Sequence, residues 1–113
     1  MQSEQLKDIV VNAMDDMKAK EISVLDVRER TSVTEYMVVA SGTSNRHVKS
    51  IADNVIEDVK KNGLRPLGIE GGAGSDWVLV DLGDIVVHVM MPAAREHYDL
   101  ERFWIDGPDA ASE

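Results

Sequence analysis

The sequence has no cysteine. That removes disulfide frameworks, thiol catalysis and Cys-ligated zinc in one step, and it fits a reducing compartment. No apolar stretch approaches the ~20 residues needed to span a membrane. The N-terminus, Met1-Gln2-Ser3-Glu4-Gln5-Leu6-Lys7-Asp8, is acidic and carries no signal-peptide core, so a cytoplasmic location is expected. Basic residues are also short, 12 against 21 acids, giving a net charge of −9. Affinity for nucleic acid comes largely from Lys and Arg neutralising phosphates. A chain this acidic is repelled by naked RNA at long range, so little direct nucleic-acid binding is expected; the acidity either serves only solubility, which composition alone favours, or suits a basic protein partner. There are no repeats, low-complexity blocks or internal linkers. The 113 residues suit one domain, which at this size buries roughly two thirds of its unfolded surface without staples.

Leu6, Ile9, Val10, Ala13, Met14 and Met17 recur at steps of three and four, one stripe of a helix, with Ser3 as its expected N-cap and Lys18 and Lys20 near its C-terminal end. Residues 22–28 read as a strand with Ile22, Val24 and Asp26 on one face and Ser23, Leu25 and Val27 on the other. Residues 28–34 form a polar connection. Residues 35–41 are a continuous run suited to a strand covered on both faces. After Gly42-Thr43-Ser44 a second amphipathic helix follows, carrying Val48, Ile51, Ala52, Val55, Ile56 and Val59 along one stripe. Ser44 is its N-cap, Lys60 and Lys61 fill its last turn, and Gly63 takes the left-handed position beyond it. Three strands are expected at 66–70, 77–81 and 85–91. Asp81-Leu82-Gly83-Asp84 makes a tight hairpin between the last two. Gly71 to Ser75 reads as a flexible loop, Pro92 stops the final strand, 93–98 is a short helix, and 99–104 a last ordered turn. The order implies an α/β (α+β) fold with one mixed five-stranded sheet and helices packed on it. The domain is expected to cover 1–104, and 105–113 to be an acidic, disordered tail.

Few residues are arranged for catalysis. Gly42-Thr43-Ser44 puts free N–H groups at a helix start, where a phosphate can sit, but it lacks the spacing and lysine of a P-loop, and a plain helix cap explains it. Metal-dependent nucleotidyl transfer needs convergent carboxylates. The strand at 66–70 offers only Glu70, while Asp81 and Asp84 straddle a turn. His47, His88 and His97 lack the spacing of a helical metal site. His47 is explained by a solvated face at the helix start, and His88, between Val87 and Val89, by a hydrogen bond or an interface. No enzyme activity, cofactor or metal is expected.

The strand faces say more. If Val78, Val80, Val87 and Val89 face the helices, then Trp77, Leu79, His88 and Met90 share the opposite sheet face. Either that face is partly open, as a protein-binding patch, or the short last helix covers it. An intermediate arrangement packs part of this segment down while Tyr98 extends the patch.

Three blocks carry a family resemblance. They are residues 36–48 (Tyr36 to Val48), then Gly68-Ile69-Glu70-Gly71 with 77–89 (Trp77 to Val89), and finally Arg95 through Tyr98, Leu100-Glu101 and Trp104. In this order they resemble the ribosomal silencing factor (RsfS, or Iojap) family over roughly 4–104. The resemblance implies a fold shaped like a nucleotidyltransferase without that activity. It also implies binding to ribosomal protein L14 on the large ribosomal subunit, which sterically blocks small-subunit joining and lowers translation when nutrients are scarce. The implied partner-facing residues are Glu70, Gly71, Trp77, Leu79, Asp81, His88, Met90, Arg95, Tyr98 and Leu100. Met90 stands where many relatives carry an aromatic. A homodimer through the same face, a role in large-subunit assembly at the same site, and a nucleotide-handling enzyme at Gly42–Ser44 are the alternatives.

Overall fold

The fold was described from a computed structural model, in which residues 2–99 are described. Leu100, the turn expected at 99–104 beyond Asp99, and the tail from 105 lie outside the described residues. The chain runs α1 (Ser3–Asp16), β1 (Lys20–Asp26), β2 (Tyr36–Ser41), α2 (Asn45–Lys61), β3 (Gly68–Glu70), β4 (Trp77–Asp81), β5 (Ile85–Met90) and α3 (Pro92–Tyr98). The five strands form one mixed sheet in the order β1-β2-β5-β4-β3. Its central pair, β2 and β5, is parallel, and the other three pairings are antiparallel.

Alternation of side chains divides the core in two. Val38 and Ala40 of β2, Val78 and Val80 of β4, and Ile85, Val87 and Val89 of β5 pack against the apolar stripes of α1 and α2. On the other face Met37, Val39 and Met90 meet Val27, with Leu25, Trp77 and Ala94 packed around them. Every residue of β2 is buried, as its unbroken apolar run required. Fully burying each such aliphatic side chain contributes roughly 1.5–3 kcal/mol, so the helix-covered face carries most of the apolar stabilisation.

The ends of the elements differ from the sequence expectation for identifiable reasons. Gln2, not Ser3, holds the extended cap position of α1, and Gln5 Oε1 accepts the Gln2 N–H at 3.3 Å. Ser3 therefore enters the first turn. The same helix ends at Asp16, so neither Lys18 nor Lys20 lies in its last turn. Lys18 instead takes the left-handed conformation with φ 58°. The N–H groups of Lys18 and Ala19 return to the carbonyls of Asp15 and Met14, closing the helix by the same pair of bonds that α2 makes around Gly63. A lysine doing what glycine does in α2 leaves no signal in the sequence. Lys20 opens β1, which is displaced by two residues from the expected 22–28 and contains an irregularity between Lys20 and Ser23, where Glu21 has φ 47°. β3 starts at Gly68 rather than Pro66, because Pro66 has no N–H to give a ladder. Pro92 begins α3, where its missing N–H is harmless. No helix among the described residues is long and apolar enough to cross a membrane.

Candidate partner-binding face

The expected face is built on the β4–β5 hairpin. Gly83, at φ 86°, makes the turn, and Asp81 Oδ1 accepts the Gly83 N–H at 2.9 Å. The register that follows sets Trp77 opposite Met90 and Leu79 opposite His88. These four side chains therefore share the sheet face away from α1 and α2. The Trp77 indole N–H donates to His88 Nδ1 at 2.9 Å. An indole nitrogen can only donate, so Nδ1 carries no proton and the neutral ring holds its proton on Nε2. His88 is 6% exposed, and burial pulls its pKa from 6.5 down to about 4. The Tyr98 ring lies 4.7 Å from that of Trp77, tilted by 47°, and His97 meets Tyr98 edge-on at 5.0 Å.

The face is not open as a whole. Met90 is completely buried and His88 nearly so. α3 folds back over this side, with Ala94 packed into the cluster that holds Met90. Arg95 fixes it there, its guanidinium donating to Ser41 Oγ at 3.0 Å and to Ser23 Oγ at 3.2 Å. These bonds reach 54 and 72 residues back along the chain, which is why sequence periodicity could not choose between an open and a covered face. The intermediate arrangement is the one found. Met90 and His88 are supports, Trp77 and Leu79 are half-buried, and Tyr98 stands 54% exposed at the rim. Arg95 and Asp81 are also half-buried and already bonded within the chain, whereas Glu70 is exposed on the short edge strand β3. Gly71 is exposed too, but its place is dictated by backbone. It has φ 88°, and a Cβ there would stand 2.5 Å from the Trp77 carbonyl oxygen.

Sequence reasoning missed Asn45 and misread His47, both at the start of α2. Asn45, at the first position of α2, bonds the loop before Trp77, donating from Nδ2 to the Ser75 carbonyl at 3.1 Å and to Asp76 Oδ1 at 2.7 Å. The loop expected to be flexible is thus tied down. His47 is not simply solvated. Its Nδ1 accepts the Thr43 N–H at 2.9 Å, and its Nε2 lies 2.7 Å from the Met17 carbonyl. The first contact needs a bare nitrogen and the second a protonated one, so one neutral tautomer satisfies both and joins the end of α1 to the start of α2. As expected, Ser44 caps α2, its Oγ accepting the His47 N–H at 3.1 Å. The N–H groups of Gly42 and Thr43 are thus occupied within the chain, by the Met90 carbonyl and by His47 Nδ1. Gly42 is needed for contact, since a Cβ would come within 2.8 Å of Val48 Cγ2 and of the Val48 nitrogen. Among the described residues no group of three or more His, Asp or Glu could hold a metal ion.

Comparison with known proteins gives the family. A sequence model of the family described as "Ribosomal silencing factor during starvation" matches residues 1–113. A ribosomal silencing factor RsfS from Chromobacterium violaceum is 43% identical over 104 residues, covering 92% of this chain and 85% of that protein. One from Haemophilus influenzae is 41% identical over 99 residues, 88% of this chain and 97% of that protein. A mouse protein named mitochondrial assembly of ribosomal large subunit protein 1 is 35% identical over 100 residues, 86% of this chain but 44% of its own length. A crystal structure of a Chromobacterium violaceum protein superimposes with a TM-score of 0.91 at 43% identity, covering 95% of this chain and 88% of that one. With a matching family model, close relatives and a shared fold, the chain belongs to the ribosomal silencing factor family.

Proposed function

We propose that this protein regulates translation by binding the large ribosomal subunit through ribosomal protein L14 and sterically blocking the small subunit. The names of its relatives support a ribosomal role. The observation that carries the site is the Trp77–Tyr98 pair, two aromatic rings in contact at the edge of a buried support formed by His88 and Met90. Rigid aromatic anchors of this kind dominate protein interfaces. Glu70 beside them, on a chain of net charge −9, suits a basic partner and speeds encounter with it. No step of bond making is required, since occupancy alone does the work. A homodimer through the same face would compete with the ribosome.

Trp77→Ala and Tyr98→Ala each remove an anchor worth about 2 kcal/mol or more, roughly a thirtyfold loss of affinity. Both variants should stay folded and lose co-sedimentation with large subunits, and the wild-type protein, added to salt-washed subunits, should reduce the joined fraction on a gradient. Unchanged co-sedimentation of both variants would reject this face. The name of the mouse relative favours a second reading, an assembly role at the same site. Finding the protein on immature rather than mature large-subunit particles would select it.

A further inference from the structure

We propose that Asn45 is a positioning residue for the partner-binding face, acting as a latch that holds the 71–76 loop in its binding-ready conformation. The inference rests on the reading of the Trp77 face given above and adds a residue on the opposite helix layer to it. The loop joins Glu70, the last residue of β3, to Trp77, the first of β4, so it borders the face at both of its ends. It has four ties. At its entry Gly71 is left-handed and presses against the Trp77 carbonyl. In its middle the Gly72 N–H donates to Ser75 Oγ at 2.9 Å, and the Ser75 N–H returns to the Gly72 carbonyl at 3.0 Å. At its exit the Asp76 carbonyl accepts the Met91 N–H at 2.8 Å. The remaining tie is Asn45, which reaches across from α2 and spends both amide hydrogens on Ser75 and Asp76.

The choice of asparagine is informative. In the first turn of a helix an aspartate would suit the helix dipole, and alanine would suit the helix backbone better. Asparagine offers neither advantage, but it alone of the three carries two N–H donors, and the two groups facing it are both acceptors. Its side chain therefore serves the loop rather than the helix, whose N-cap is supplied by Ser44. A loop released from Asn45 samples other conformations. Affinity then falls in proportion to the fraction of time spent in the competent one. If that fraction drops to about one tenth, the dissociation constant rises about tenfold and association slows by a similar factor.

The test compares Asn45→Ala, Asn45→Asp and Trp77→Ala with wild type, measuring dissociation constants for purified large ribosomal subunits, melting temperatures, and hydrogen exchange at the Gly72 and Ser75 amides. Both Asn45 variants are expected to melt within a few degrees of wild type, bind about tenfold more weakly, and exchange faster at those two amides. Asn45→Asp should be the weaker binder, because it sets a carboxylate against Asp76. Adding Asp76→Asn to it should recover part of the loss by restoring a donor–acceptor pair. If Trp77→Ala loses binding while both Asn45 variants bind like wild type, the latch is wrong and the face stands. Weak binding by the Asn45 variants accompanied by a large fall in melting temperature would also overturn it, by making Asn45 merely structural. If Trp77→Ala binds like wild type, the reading of the face itself fails.

Discussion

His88 makes stability depend on pH in a way that can be worked out from its surroundings. It lies mid-strand in β5, 6% exposed, with Nδ1 occupied by the Trp77 indole N–H. Protonating Nδ1 would set two donors against each other, and protonation in any form places a charge in a poorly solvated site. The native ring accordingly holds its proton with a pKa of about 4, against 6.5 for an unhindered histidine. The folded pKa is the lower one. Stability from the neutral ring is therefore fully present above pH 6.5 and is lost as pH falls from 6.5 towards 4, because the unfolded chain takes up the proton first. Each pKa unit corresponds to 1.36 kcal/mol. On that scale the loss is about 2 kcal/mol at pH 5 and about 3 kcal/mol below pH 4. Carboxylates add their own dependence, so the comparison should be with His88→Gln, whose amide oxygen can still accept from Trp77 but does not titrate. Urea unfolding of both proteins at pH 7.5 and pH 5 should show wild type losing about 2 kcal/mol more than the variant. Parallel losses would mean that His88 charges freely in the native state and that the buried Trp77–His88 bond is wrongly described.

Other consequences are simpler. Gly42→Ala should destabilise the fold by about 1–3 kcal/mol, seen as a lower melting temperature, because its Cβ meets the α2 backbone at Val48 as well as the Val48 side chain. Arg95→Ala removes the bonds to Ser41 and Ser23, so hydrogen exchange should quicken in α3 while the amides of β2 and β5 stay protected. Unchanged exchange in α3 would show that Ala94 and Tyr98 hold it without Arg95.

What was legible in the sequence followed from short-range regularity. The stripe of α2 with Ser44 and Gly63 at its ends, the unbroken β2, and the β4–β5 hairpin around Gly83 each announce themselves within a few residues. The shared face of Trp77, Leu79, His88 and Met90 was legible for the same reason, since strand alternation is a local rule. Its covering was not. Whether α3 folds back depends on Arg95 finding hydroxyls on β1 and β2, and no local pattern encodes that. Asn45 was overlooked and His47 misread for a similar reason, because each is defined by a partner about 30 residues distant. The end of α1 carried no signal, because a lysine adopted the conformation normally marked by glycine.

The central parallel pairing of β2 with β5 also governs when this chain can fold. Tyr36 meets Ile85 and Ser41 meets Met90, so the middle of the sheet is joined by residues 49 apart in sequence. During synthesis α1, β1, β2 and α2 emerge first, and β2 pairs with β1 on one side only. Its other edge, apolar on both faces, waits without a partner until β5 has been made. At roughly 5–20 residues per second that wait lasts several seconds, a window for association with other nascent chains or capture by a chaperone. Chains cut short before β5 should therefore be insoluble rather than partly functional.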